Sequence, residues 1–185
     1  VADIQRLVDS LDAKALIVHL NSLQEVLQPE GTPEFSGGLQ AIQKLVKALD
    51  VPVIVKEVGC GFSQKTLEKL MATGIFAVDV AAIGGTHWGR LEGLRSKEGS
   101  MLYGVSQTFS QWGWTQVESL LHCQNSVYSG EYWASGGIRS GLDVAKCISL
   151  GAKKVGSALP FLQKALVSEV ALEELAGLAD VCHAA

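Results

Sequence analysis

Long apolar runs are missing from this 185-residue chain: none approaches the roughly 20 residues that span a bilayer. The N-terminus also has neither the basic start nor the apolar core of a secretory signal, so a soluble, cytoplasmic protein without a membrane partner is expected. Cysteine is sparse. Cys60, Cys123, Cys147 and Cys182 form no C-x-x-C pair, which argues against a zinc ribbon or a disulfide framework and fits free thiols in a reducing compartment. Basic residues are fewer than acidic ones, 15 against 19, for a net charge of -4, so no basic stripe invites nucleic acid. An anionic ligand must therefore be held by local groups. With 48% hydrophobic residues, 18% charged and only 4 prolines, the chain has ample apolar surface for one folded core and is not disordered.

What the chain does have is alternation of short β-rich runs with amphipathic helices, the pattern of βα units on a parallel sheet. Strands are expected at 16–20, 51–55, 75–80, 127–134 and 153–158. The first helix carries Ile4, Leu7, Val8 and Leu11 on one face, and the helix before the second strand carries Leu39, Ile42, Leu45, Val46 and Leu49. Ser63 is a candidate N-cap, Thr115-Gln116-Val117-Glu118 a capping box, and Ser140-Gly141-Leu142-Asp143 a third helix start. Gly74 and Gly151 close helices, and the last residues read as a helical tail. From 87 to 112 the pattern dissolves into Gly, Ser, Arg and Glu, far longer than the usual connection of about 2 to 6 residues, which reads as a lid or a disordered loop. Five units are too few for a closed (β/α)8 TIM barrel, which typically needs about 250 residues. Residues 1–185 are accordingly expected to be one domain, about five C-terminal βα units of such a barrel, with its N-terminal units absent from this sequence and its first residues already inside the repeating pattern.

Polar residues gather where the strands should surface, which is where α/β enzymes keep their chemistry. Directly after Ala15-Leu16-Ile17-Val18 come His19-Leu20-Asn21-Ser22-Leu23-Gln24-Glu25, bringing donors, neutral amides and a carboxylate to one patch. Gly136, Gly137 and Arg139 follow one strand and precede a helix, and Ser157-Ala158-Leu159-Pro160 repeats the arrangement on the next unit. Glycine backbone and a helix N-terminus suit a phosphate, although tight turns alone would use the same residues. Lys56 ends an apolar strand, where its ammonium needs a negative partner: a bound flavin, or a salt bridge to Glu57 or Glu25. Thr86, after two glycines, either hydrogen-bonds the same cofactor or caps its own turn. Glu25 is the carboxylate placed to hold Mg2+ together with substrate phosphate oxygens, or else a solvated surface group.

Several strings, in order, resemble type 2 isopentenyl diphosphate isomerases: Ile17-Val18-His19-Leu20-Asn21, Leu23-Gln24-Glu25, Gln28-Pro29-Glu30-Gly31, Val53-Ile54-Val55-Lys56-Glu57-Val58-Gly59, Gly84-Gly85-Thr86 and Ala134-Ser135-Gly136-Gly137-Ile138-Arg139-Ser140-Gly141. The resemblance implies an FMN-dependent TIM barrel, a homo-oligomer, that interconverts isopentenyl and dimethylallyl diphosphates with reduced FMN, Mg2+ and NADPH as reductant. It implies that His19, Asn21 and Gln24 contact substrate, with Gln24 catalytic, and that Glu25 ligates Mg2+. Lys56 and Thr86 would bind the flavin, and Gly137, Ile138, Arg139, Ala158 and Leu159 its phosphate. Two departures stand out: Ala81 replaces a flavin-contacting Ser, and Gly113-Trp114-Thr115 is one residue shorter than the usual Gly-Ile-Pro-Thr. The rival flavin barrels need a His before the glycines, where Ser135 stands, or a nucleophilic Cys between 84 and 112, where there is none. A third reading is an inactive barrel fragment that acts only in subunit association.

Overall fold

Parallel pairing in strict chain order builds one five-stranded sheet, β1 (Leu16–His19), β2 (Val53–Lys56), β3 (Ala77–Asp79), β4 (Glu131–Ser135) and β5 (Lys154–Gly156). The computed structural model describes residues 1–126 and 130–168. Between the strands run α1 (Ala2–Ser10), α2 (Ser22–Leu27), α3 (Gly38–Ala48), α4 (Gln64–Met71), α5 (Trp88–Arg95), α6 (Met101–Thr108), α7 (Gln116–Asn125), α8 (Gly141–Ser149) and α9 (Leu159–Ala165). Sequential parallel strands joined by helices are the arrangement of five consecutive units of a (β/α)8 barrel. Among the described residues no helix is long and apolar enough to cross a membrane.

The period of two along each strand separates the two faces of the sheet. Val53 and Val55 of β2, Val78 of β3 and Ala134 of β4 turn toward the helices and join Leu67, Leu70, Leu120 and Cys123 in one core. Each large aliphatic side chain buried there contributes about 1.5–3 kcal/mol. The alternate positions form the other face. One row across it is set by the registers Lys56↔Asp79, Asp79↔Trp133 and Trp133↔Lys154, which places the end residues of β2 and β3 beside the middle of β4 and the start of β5.

Helix starts follow local chemistry. The Ser63 hydroxyl accepts from the Thr66 amide, and Thr115/Glu118 and Ser140/Asp143 both close reciprocal capping boxes. The first helix buries Val8 alone, with Leu7 54% and Leu11 67% exposed, so half of its apolar stripe has no cover among the described residues. Of the fourth expected strand, residues 127–129 lie outside the described residues, as do the expected helical tail at 169–185 and Cys182.

The segment 87–112 is neither a lid loop nor disordered: it is α5 and α6, packed on each other and on α2. The first of them, α5, escapes a search for apolar periodicity because it packs through its glycines. A Cβ added at Gly93 would lie 1.8 Å from Ser106 Oγ and 2.5 Å from its Cβ, and one at Gly89 would lie 2.8 Å from Leu23 Cδ2. The residue α5 buries most deeply besides its glycines is charged, Glu92. The polar strand exit expected at 19–25 likewise winds, from Ser22 onward, into α2. Because the α5/α6 contact leaves no space for a methyl group, Gly93→Ala is expected to lower stability by about 1–3 kcal/mol. Urea unfolding of the intact protein checks this, and an unmoved midpoint would reject close packing at Gly93.

Candidate functional site

The loops leaving the C-terminal ends of the strands enclose a cavity of about 540 Å³ that brings together His19, Lys56, Thr86, Gly137, Ile138, Arg139, Ala158 and Leu159. Its floor depends on glycine. Gly136 and Gly137 have φ of +98° and +79°, and a Cβ on Gly137 would fall 2.3 Å from the Gly84 carbonyl, so the 84–86 and 136–138 turns interlock backbone to backbone. Ser157 Oγ donates to the Ile138 carbonyl at 2.9 Å and ties the two suspected phosphate loops together. The two helix N-termini differ. Asp143 Oδ2 takes the backbone N–H of Arg139 at 3.1 Å and of Ser140 at 3.0 Å, closing the start of α8, whereas α9 carries no side-chain cap. Arg139 is thus left to act through its exposed guanidinium. A glycine cradle with one lysine and one arginine fits a phosphate-bearing, anionic cofactor.

Lys56 has a partner that its sequence context did not single out. Its Nζ lies 3.4 Å from Asp79 Oδ2 and donates to the Glu57 carbonyl at 3.1 Å, so the expected bridges to the carboxylates of Glu57 or Glu25 do not form. The Glu57 carboxylate instead accepts the amides of Val58 and Cys60, both at 2.6 Å, and shapes the turn after β2. Burial pushes its acidity weaker than usual, against those backbone bonds and the nearby Lys56. Asp79 is held in turn by the Ser135 hydroxyl, 2.8 Å from both carboxylate oxygens, and by the Ala81 amide at 3.1 Å. Ala81 adopts φ of +36° to make that turn. His19 is held below its ordinary pKa, chiefly by burial and then by Lys56, with Glu25 opposing. It is a neutral donor and acceptor near pH 7.

Asn21, the residue capping α2, and Gln24 and Glu25 in its first turn form a second cluster, outside the cavity lining. Asn21 Nδ2 donates to Glu25 Oε1 at 3.0 Å and to Gln24 Oε1 at 3.4 Å. Gln24 Nε2 donates to Glu92 Oε1 at 3.0 Å, and Glu92 Oε2 accepts from Arg95, whose other nitrogen reaches Glu30. The Gln24 amide therefore has a fixed orientation, its nitrogen turned toward α5. Glu25 sits below the usual carboxylate range because the Thr32 amide, then the Asn21 side chain, bond its charged form. It is ionised and available to a cation. Among the described residues no three His, Cys, Asp or Glu side chains converge as a metal site, so a metal at Glu25 would need ligands from substrate.

A family model described as FMN-dependent dehydrogenase matches residues 18–176. The chain belongs to this FMN-dependent dehydrogenase family. Within the curated proteins it is similar to the isopentenyl-diphosphate delta-isomerase of Bdellovibrio bacteriovorus, 57% identical over 172 residues, covering 93% of this chain and 50% of that protein. It is also similar to the enzyme of the same name from Legionella pneumophila, 49% identical over 168 residues, covering 91% and 49%. The chain spans about half the length of the curated relatives it matches. Two solved structures share the fold: a mandelate oxidase, TM-score 0.59 at 18% identity over 98% of this chain and 53% of that one, and an inosine 5' monophosphate dehydrogenase from Legionella pneumophila, TM-score 0.51 at 15% identity over 83% and 38%.

In this member of the FMN-dependent dehydrogenase family α5 and α6 contain no cysteine, and among the described residues the cysteine facing a groove is Cys60. The groove, about 480 Å³, runs between Leu20, Leu23, Trp112 and Trp114. Cys60 Sγ lies 3.6 Å from His87 Nε2, which looks like a nucleophile and its base. The hydrogen bonds say otherwise. His87 Nδ1 accepts from the Arg90 amide and Nε2 is 2.9 Å from the Trp112 carbonyl, so Nε2 carries the proton and cannot take one from the thiol. Burial and Glu57 push the Cys60 thiol up to about 12. Alkylation of Cys60 by iodoacetamide at pH 8 should therefore run about a thousandfold slower than that of free cysteine, followed by mass spectrometry. A rate equal to free cysteine would restore a nucleophilic Cys60.

Proposed function

We propose that the intact protein isomerises isopentenyl diphosphate to dimethylallyl diphosphate, as an FMN- and Mg2+-dependent enzyme reduced by NADPH. The observation that carries this reading is the juxtaposition of a Lys56-lined anion cavity with a Gln24 amide locked by Glu92 beside an ionised Glu25. The identity to the delta-isomerases, 57% over 172 residues in one case, supports it. We further take residues 1–185 as one domain, the C-terminal part of the barrel, within a cytoplasmic homo-oligomer whose partner is a small diphosphate rather than nucleic acid or membrane.

FMN, when bound and reduced, supplies an electron-rich ring and a proton-carrying N5. Gly137, Ile138, Arg139, Ala158 and Leu159 would hold its phosphate, Thr86 would hydrogen-bond it, and Lys56 would offset negative charge at its N1/O2 edge. Moving the double bond requires a proton to be added at one carbon and removed at another. A neutral amide is too weak an acid to protonate an alkene, so Gln24 positions or relays the proton, with its orientation set by Glu92. His19 and Asn21 would hydrogen-bond substrate, and Glu25 would help hold Mg2+, which would screen the diphosphate charge that this acidic chain repels.

A hydroxy-acid oxidase reading is weaker. Ser135, at the position those enzymes give to a His base, has its hydroxyl engaged by Asp79. Anaerobic incubation of the intact protein with FMN, Mg2+, NADPH and isopentenyl diphosphate is expected to yield dimethylallyl diphosphate, and Gln24→Asn to slow turnover about 100-fold or more. No product from the wild type would overturn the assignment. Unchanged turnover and unchanged solvent-deuterium position in Gln24→Asn would remove Gln24 from the mechanism.

A further inference from the structure

Lys56 is not a free positive charge in the cavity. Its ammonium faces Asp79 Oδ2 at 3.4 Å, and the two side chains are 33% and 14% exposed, so the pair is poorly screened by water. Asp79 is itself polarised by two donors: the Ser135 hydroxyl at 2.8 Å from both oxygens and the Ala81 amide at 3.1 Å. The pairing is built by the sheet rather than by flexible chain, since Lys56 and Asp79 are register partners across β2 and β3. Asp79 and Ser135 line the same cavity as Lys56. A carboxylate in that place does nothing for anion binding. It opposes it, and a site needing only to hold an anion would leave the lysine unpaired.

We infer that Asp79, graded by Ser135, is a positioning residue that sets how much of the Lys56 charge reaches a bound flavin, and so sets the flavin's reduction potential. This rests on the FMN reading above. Reduction by two electrons with one proton taken at N5 leaves the flavin with one more negative charge at its N1/O2 edge. Any positive charge nearby favours the reduced form, and any negative charge disfavours it. Asp79 therefore keeps the cofactor reducing, and the Ser135 hydrogen bond softens that influence by spreading the carboxylate charge into a donor. The two residues pull in opposite directions.

The test is the flavin midpoint potential at pH 7, measured by spectroelectrochemistry with mediator dyes on the intact, FMN-loaded protein. Asp79→Asn, which keeps the shape and removes the charge, should raise the potential and increase the preference for reduced over oxidised FMN about tenfold. Ser135→Ala should shift the potential the other way, and Asp79→Glu should stay close to wild type. A purely structural role would move neither variant or move both in the same sense, and either result overturns the inference. Should Asp79→Asn fail to fold, Ser135→Ala still decides, because an unchanged or raised potential contradicts the inference. If the wild-type protein binds no FMN, the proposed function itself falls and takes this inference with it; an unshifted potential in a flavin-loaded variant leaves the proposed function standing.

Discussion

A lysine ammonium at the end of a buried parallel strand must meet negative charge, and everything at the mouth of this sheet is arranged around that requirement. β2 ends on Lys56, β3 ends on Asp79, and their parallel register sets the two side by side. Asp79 then draws the Ser135 hydroxyl from β4 and the Ala81 amide from the turn after β3. Ala81 accepts a left-handed backbone to reach it, and the glycines that follow close onto the 136–138 turn with no room for side chains. One ion pair thus ties three strand ends and two glycine turns into a single wall. A ligand entering there meets a prepared electrostatic surface rather than one that must reorganise.

The second constraint is the fit of α5 and α6 over α2. Glycine and serine at the crossing let the helices approach closely, and that approach buries Glu92, whose carboxylate is balanced by Arg95 on one oxygen and by the Gln24 amide on the other. Packing of a connection between strands therefore orients a polar side chain at the site. The same contact chain leads on through Asn21 to Glu25, whose ionised state depends on the Thr32 amide and Asn21. Fold and chemistry meet at these few hydrogen bonds.

Much of this was legible in the residues alone. Short β-rich runs alternating with amphipathic helices located all five strands within a few residues, and Ser63, Thr115 and Ser140 announced their helices because capping is a local interaction. The cavity residues were legible too, since polar groups at strand ends converge in any parallel α/β sheet. What stayed hidden was non-local. Helix α5 lacks an apolar stripe, so periodicity could not reveal it, and Glu92 in a Gly-rich stretch reads as a surface acid until its burial is seen. The partner of Lys56 depended on strand register, which no short motif reports, although Asp79, a lone charge inside the apolar run 75–83, invited the same question as Lys56. The closed start of α8 was legible in Ser140 and Asp143, yet a capped helix terminus offers fewer amides to a ligand than the glycine motif before it suggests.

The position of the flavin decides between these roles, and a crystal structure of the intact protein loaded with FMN measures it directly. It should place the phosphate against the 137–139 and 158–159 loops and the ring edge beside Lys56. A flavin bound instead in the groove beneath Trp112 and Trp114, or a phosphate away from both glycine turns, would contradict it.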